Sequence, residues 1–247
     1  MLPETATQMR SLGALGHAER TTDTDARYFR VKRCVDVVLA LGLLLILWPV
    51  ILIIALLVTL DSPGSVLFVQ ERVGAKRHTH ANETSWEIRN FRFYKFRSMI
   101  PNADPSIHAN YIKAWAEGNA DAKNCSDQGP KFKLVSDNRI TRVGKFLRKS
   151  SLDELPQIFN ILKGDMSFVG PRPVPVYEAM HYRDWHFERL HAVPGLTGLW
   201  QVEGRGEVSF EEMIKMDIAY VRSQSLKLDT KIILKTIPVV LAGAGAR

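Results

Sequence analysis

The sequence predicts an α+β fold, mainly helical: a single membrane-associated domain with an N-terminal re-entrant, proline-bent membrane helix and amphipathic surface helices. Three observations carry that expectation. Val37 to Val58 are 22 residues without a charge. Further on, Leu155, Ile158, Phe159 and Leu162 fall at i, i+3, i+4 and i+7, the period of a helix with one apolar face. Near the end, lysines at 227, 231 and 235 recur every four residues among apolar ones, giving a helix with a basic stripe suited to an anionic membrane surface.

Taken in order, residues 1–26 are polar, threonine-rich and aperiodic, and read as a disordered tail without the apolar core of a signal peptide. Residues 27–60 form the membrane helix. Its uncharged run is about 33 Å long as a helix and the hydrocarbon layer is roughly 30 Å thick, so length alone favours a simple span. Two features oppose a simple span. Pro49, beside Trp48 at the midpoint, breaks backbone bonding and bends a helix. Both flanks are basic, with Arg30, Lys32 and Arg33 before and Arg72, Lys76 and Arg77 after, whereas a span shows a one-sided excess. A bent helix entering and leaving by one face accounts for both.

Residues 61–247 then form one domain. Asp61 to Gly64 is a turn, Ser65 to Gln70 a strand and Glu71 to Glu83 a polar loop. Trp86 to Met99 gives one or two further strands, with Lys95 and Arg97 projecting to the same side. Residues 101–135 read as an insertion, with a helix from about Asp104 to Glu117.

The densest chemistry lies between Gly144 and Val174. Lys163 followed by Gly164 stops the short helix, and Ser151 with Glu154 has the spacing of a capping box at its start. Pro156 is the competing first helical residue. Either start leaves Asp153 and Glu154 at the positive end of the helix dipole, where acids ordinarily contribute about 0.3–1 kcal/mol each. Their neighbours argue against that plain reading: Arg148 and Lys149 precede them, and Arg172 stands in Pro171-Arg172-Pro173, a stiffened backbone carrying a planar, bidentate phosphate binder. A carboxylate aimed at phosphorus needs such cations to reduce the repulsion between anions. Beyond this stretch come helical segments around Val176 to Leu190, a turn at Pro194 to Gly198, Arg205 between two glycines, and a second capping box at Ser209 and Glu212 opening a helix through Tyr220.

A net charge of +7 suits nucleic acid, anionic lipid or phosphorylated substrates. Nucleic acid is not expected, since zinc-finger spacing, RNA-binding aromatic motifs and a basic helix are all lacking. Cys34 and Cys125 sit in unlike surroundings, so no disulfide is expected and a reducing cytoplasm fits. There is no P-loop, dinucleotide fingerprint or nucleophile elbow. His181, His186 and His191 recur every five residues, the wrong spacing for two metal ligands on one helix face.

The run RKSSLDELPQIFNILKGDMSFVGPRP resembles the signature of the bacterial monotopic phosphoglycosyl transferases, the polyprenyl-phosphate sugar-1-phosphate transferases. The likeness continues through YKFRSM, RITRVGKFLR, PGLTGLWQVEGR and SLKLD, covering about residues 28–247. It implies transfer of a sugar-1-phosphate from a UDP-sugar to polyprenyl (undecaprenyl) phosphate, starting exopolysaccharide or other surface glycan synthesis. Asp153 would form the covalent phospho-sugar and UMP would leave. Glu154 would handle metal or proton, and Mg²⁺ would be held partly by Asp153 and Glu154. Arg148, Arg172 and Arg205 would clamp phosphate, with Lys95 a weaker fourth. The family's membrane helix is re-entrant with a proline at the bend, often after a serine; here Trp48 precedes Pro49. The insertion resembles the longer, exopolysaccharide-linked branch and hints at glucose or galactose. Expected partners are a UDP-hexose, polyprenyl phosphate and membrane lipids, with a homodimer allowed, at the cytoplasmic face of the bacterial inner membrane. Two other readings compete: a non-catalytic membrane adaptor that binds anionic lipid, and a glycosyl transferase that releases UDP.

Overall fold

The computed structural model describes residues 19–20, 23–80, 83–104, 106–116, 139–204 and 208–241. Most of the expected tail, the loop of the insertion and Arg205 lie outside the described residues.

After a two-residue strand, β1 (Glu19–Arg20), the chain enters α1 (Asp23–Asp61), a helix of 39 residues with Pro49 inside it. Its segment Ala26–Asp61 is long and apolar enough to cross a membrane. Two strands of 14 residues follow, β2 (Leu67–His80) and β3 (Glu83–Phe96), paired antiparallel from Leu67 opposite Phe96 to His80 opposite Glu83. β1 adds to the far edge of β3, and β5 (Val174–Pro175) pairs with β2 through Arg72 and Val73. The expected polar loop at 71–83 is therefore mostly strand. Cross-strand partners explain it: Lys76 faces Glu87, and His78 Nε2 lies 2.8 Å from Glu87 Oε2, so the polar side chains are matched across the ladder.

Helix α2 (Ser106–Ala116) matches the insertion helix read from the sequence and is no loose appendage. Tyr111, Ile112 and Trp115 are buried against Trp200, Phe210, Met213 and Ile214. Helix α3 (Arg142–Ser150) is capped by Thr141, whose hydroxyl accepts from the Gly144 amide at 3.0 Å. A Cβ on Gly144 would lie 2.1 Å from the Ser98 carbonyl oxygen, so only glycine lets α3 sit this close to the end of β3.

The expected capping box at Ser151 is not formed. Ser151 ends α3 in the left-handed region at φ 58°, its amide donating to the Arg148 carbonyl. Leu152–Glu154 make a separate 3-10 turn, and α4 (Gln157–Lys163) starts after Pro156. Pro156, the competing start, marks the boundary because it has no amide to bond back into the turn. The buried face of α4 also differs by one step. Ile158 and Ile161 are in the core, whereas Phe159 is 41% exposed. Leu155 and Leu162 pack against that core, as the period predicts.

β4 (Ser167–Val169) and β6 (Gly195–Thr197) form a short parallel pair. Between them lie α5 (Val176–Ala179) and a 3-10 helix at Asp184–Leu190, so the segment read as helical is two broken pieces. The chain closes with α6 (Leu199–Glu203), α7 (Phe210–Arg222) and α8 (Leu226–Leu241). The second capping box is present: Ser209 and Glu212 bond reciprocally at the start of α7. The main core joins Phe91 and Phe93 of β3, Ile158 and Ile161 of α4, Phe168 and Val169 of β4, Tyr220, Ile232 and Ala40 of α1. A second cluster joins Ile54 and Val58 of α1 to Phe96 and Leu147. α1 is thus packed against the body near both of its ends.

Candidate active site

The site forms where the end of β3 meets the 3-10 turn. Residues 95 and 97 share one side of an extended strand, yet their ends part. Lys95 Nζ lies 2.7 Å from Glu154 Oε1 and 3.4 Å from Asp153 Oδ2, one ammonium between two carboxylates. Arg97 turns to α1 instead. Its guanidinium donates to the carbonyls of Val58, Ser62 and Pro63, closing the helix C-terminus and the turn after it. Arg97 thus ties the end of β3 to the end of α1, while Lys95 alone of the two reaches the acid pair.

Asp153 is only 6% exposed. Its place is set by Asn160, a fully buried residue on the next helix that sequence reasoning missed. The Asn160 side chain accepts from the Tyr94 amide at 3.1 Å and donates to the Arg92 carbonyl at 2.6 Å. An amide pinning α4 to β3 on both sides of residue 93 fixes the distance between Lys95 and the acids. Lys163 at the other end of α4 reinforces this, donating to Tyr94 Oη at 2.8 Å.

Arg148 lies in the last turn of α3, with Nε donating to Ser98 Oγ at 2.9 Å. Arg172 is held by its backbone. Arg72 Nη1 donates to the Pro173 carbonyl at 2.7 Å, and Arg189 Nη2 donates to the Arg172 carbonyl at 3.2 Å. Two buried guanidinium groups therefore fix the Pro-Arg-Pro backbone from two sides. Arg189 is itself paired with Asp217, both essentially inaccessible. Glu178, fully buried, supplies shared counter-charge: burial raises its pKa, against the pull of Arg189, Arg72 and Arg172. Burial first, then Arg172, lowers the Arg72 pKa to about 10, which still leaves it charged at neutral pH. Sequence alone offered little signal for Arg72, which reads as the basic flank of a membrane helix, or for Glu178 and Arg189, spaced apart in a segment without a motif.

Asp153, Glu154 and Lys95 are thus in direct contact, and Arg72 reaches them electrostatically through Glu154. Burial first, then the charges of Arg72, Arg172, Arg139 and Arg148, lower the His108 pKa to about 4. Trp48 and Pro49 lie apart from the site, both exposed at the middle of α1. Among the described residues no group of three or more His, Cys, Asp or Glu could hold a metal. Asp153 and Glu154 are nonetheless two hard oxygen donors converging on one cation, the Lys95 ammonium. That is the set Mg²⁺ takes when substrate phosphates and water complete its shell.

Comparison with known proteins bears on this site directly. The family model described as bacterial sugar transferase matches residues 27–243. The chain is 42% identical over 219 residues to the undecaprenyl-phosphate galactose phosphotransferase of Salmonella typhimurium, covering 87% of this chain and 41% of that one. It is 38% identical over 215 residues to the exopolysaccharide production protein ExoY of Sinorhizobium fredii, covering 87% of each. It is 37% identical over 249 residues to the UDP-glucose:undecaprenyl-phosphate glucose-1-phosphate transferase of Xanthomonas campestris, covering 98% of this chain and 45% of that one. The chain spans less than half the length of several of the curated relatives it matches. With a match that includes the acid pair, the Pro-Arg-Pro loop and both ends of the apolar helix, the chain belongs to the bacterial sugar transferase family, the polyprenyl-phosphate sugar-1-phosphate transferases.

Proposed function

We propose that the chain transfers a sugar-1-phosphate from a UDP-hexose to polyprenyl phosphate at the membrane surface, through a covalent intermediate on Asp153. The observation that carries this reading is the near-buried Asp153 carboxylate, adjacent to Glu154 and bridged by Lys95. The Lys95 ammonium offsets the negative charge of the acid pair and so lowers its repulsion of an incoming anion. In the first step an Asp153 oxygen attacks the β-phosphorus, the bond from that phosphorus to the bridging oxygen breaks, and UMP leaves. In the second step a phosphate oxygen of the lipid attacks the same phosphorus, the bond to Asp153 breaks, and the carboxylate is regenerated. Covalent catalysis suits two substrates of opposite solubility, because they need not occupy the site together.

Arg148 and Arg172 bind the diphosphate; Arg205, between two glycines, is assigned the same role from sequence alone. Asp153 and Glu154 would hold Mg²⁺, which when bound neutralises phosphate charge. Membrane lipids are the second medium of the reaction, reached through α1 as a re-entrant helix on the cytoplasmic face.

The test uses the full chain with UDP-glucose or UDP-galactose and no lipid acceptor. Intact-protein mass should rise by a phosphorylated hexose, and the released nucleotide should be UMP. Asp153→Asn should lose both signals while keeping its melting temperature and membrane association. Release of UDP would instead establish a simple glycosyl transferase. Unchanged behaviour in Asp153→Asn, with no nucleotide released by either protein, would leave a lipid-binding adaptor.

A further inference from the structure

Leu67, Phe68 and Val69 open β2 as three consecutive exposed apolar residues. Successive residues of a strand point to opposite faces, so both faces of the sheet are apolar and uncovered at this end. β5 pairs with β2 only further on, at Arg72 and Val73. The last turns of α1 show the same character, with Leu56, Leu57 and Leu60 exposed. Arg97 fastens the two together, its Nη2 donating to the carbonyls of Ser62 at 2.6 Å and Val58 at 3.2 Å. This end of the sheet therefore continues the apolar surface of α1, and lipid is what such a surface needs.

One of the three residues also belongs to the site. Phe68, 46% exposed, stands directly opposite Lys95. Directly opposed residues share a face with their Cβ atoms about 4.5–5.5 Å apart, so an uncovered phenyl ring adjoins the lysine that holds Asp153 and Glu154. The same face continues through Gln70 opposite Phe93 to Arg72 opposite Phe91. Arg72 Cζ and Lys95 Nζ lie 4.5 and 5.7 Å from the centroid of the Phe93 ring, and Arg72 goes on to the Pro173 carbonyl. Read away from α1, the face carries an apolar ring, then the acid pair with its lysine, then the Pro-Arg-Pro loop. An isoprenoid phosphate has the matching layout, an anion joined through one carbon to an apolar chain that stays in lipid.

We propose that Phe68 binds the isoprene unit next to the phosphate of the polyprenyl acceptor, so that the acceptor reaches the acid pair along the lipid end of the sheet while the donor diphosphate lies toward the Pro-Arg-Pro loop. This rests on the function proposed above and deepens it, giving the acceptor a place of its own in the site.

The experiment compares wild type, Phe68→Ala, Phe68→Leu and Phe68→Gln as full chains in lipid nanodiscs. Binding is measured with UDP and with undecaprenyl phosphate as separate probes. Protein charged with UDP-glucose or UDP-galactose is then discharged with rising undecaprenyl phosphate. In Phe68→Ala the affinity for undecaprenyl phosphate should fall, and its half-saturating concentration rise, about tenfold, the share that burial of one large apolar side chain supplies. UDP affinity and the charging step should stay at wild-type values. Phe68→Leu restores an apolar contact and should recover most of the loss; Phe68→Gln, of similar reach but polar, should behave like Phe68→Ala. The proposal is overturned if a folded Phe68→Ala binds undecaprenyl phosphate like wild type. It is overturned equally if UDP affinity falls as far, which would set the ring against the donor, or if Phe68→Leu is as weak as Phe68→Ala. If Phe68→Ala fails to fold, Phe68→Gln decides by the same measures. Should wild type take up no sugar phosphate, the function above fails, and the two affinities still test the role of Phe68.

Discussion

Asn160 shows how much of a site can depend on a residue that never touches substrate. Its side chain is completely buried and uses both ends of its amide, one on the Tyr94 N–H and one on the Arg92 carbonyl. Asn160→Ala would strand both backbone groups. Each orphan costs about 1–3 kcal/mol, and in a chain of this size 1 kcal/mol corresponds to roughly 2–4 °C in melting temperature. A fall of about 4–24 °C is expected in a thermal melt, with a larger loss of turnover than of UDP binding, because β3 and α4 hold Lys95 against the acid pair. An unchanged melting temperature would show that the amide is not the clamp described.

At the scale of elements, the parallel pair β4 and β6 matters for what it carries. Gly170 follows β4 and leads into Pro171-Arg172-Pro173, and Gly195 opens β6. A Cβ on Gly195 would lie 2.1 Å from the Gly170 nitrogen, 2.4 Å from the Thr197 oxygen and 2.6 Å from the Gly170 oxygen, all backbone atoms that cannot rotate away. Gly195→Ala must push the two segments apart and shift Arg172 with them. Overpacking of this kind costs about 1–3 kcal/mol or more. Gly42→Ala in α1 is the control, because nothing lies within 4 Å of the added carbon. Its melting temperature should hold or rise while that of Gly195→Ala falls and its turnover drops.

The same scale shows what the sequence could reveal. The apolar helix, the α7 capping box, the insertion helix and the four-residue lysine repeat of α8 were legible because each is a local pattern. Lys227, Lys231 and Lys235 are indeed on the exposed side of α8. The acid pair and the Pro-Arg-Pro loop were legible because unusual residues stand together. The hairpin was not: a polar strand looks like a loop until its partner is known, and Lys76 meets Glu87 only across the ladder. Ser151 was misread for a related reason. Its capping-box spacing is real, but α3 ends there in a left-handed turn and claims the residue first. Asn160, Arg72, Glu178 and Arg189 act through contacts distant in sequence, which no spacing rule encodes.

The whole molecule poses the question of how α1 meets the bilayer. Straight, its 39 residues would extend about 58 Å. Near its start, Lys32 forms a buried ion pair with Asp229 at 2.7 Å, and Arg33 donates to the carbonyls of Ile161 and Leu162 at the end of α4. At its other end the Val143 amide donates to Asp61, Arg97 closes the last carbonyls, and Ile54 and Val58 pack on Leu147. Between Ala40 and Ile54 no residue is fully buried, and Leu45, Ile46, Trp48, Leu52 and Ile53 are exposed apolar side chains that need lipid. Lys32 and Arg33 are thus internal ties rather than free signals of orientation. A helix crossing the whole bilayer would put its ends in different compartments, yet both ends are bonded to one body full of ion pairs. The re-entrant course proposed above, with Pro49 in lipid, would keep each of these ties on one side of the bilayer. Labelling decides between them. With Cys34 and Cys125 replaced by serine, Arg27→Cys and Ser65→Cys each place one thiol on either side of the apolar run. Both should react with a membrane-impermeant maleimide in inside-out vesicles and neither in right-side-out ones. Opposite protection of the two thiols would mean that the helix spans, and the ties at one end would then have to break in the membrane.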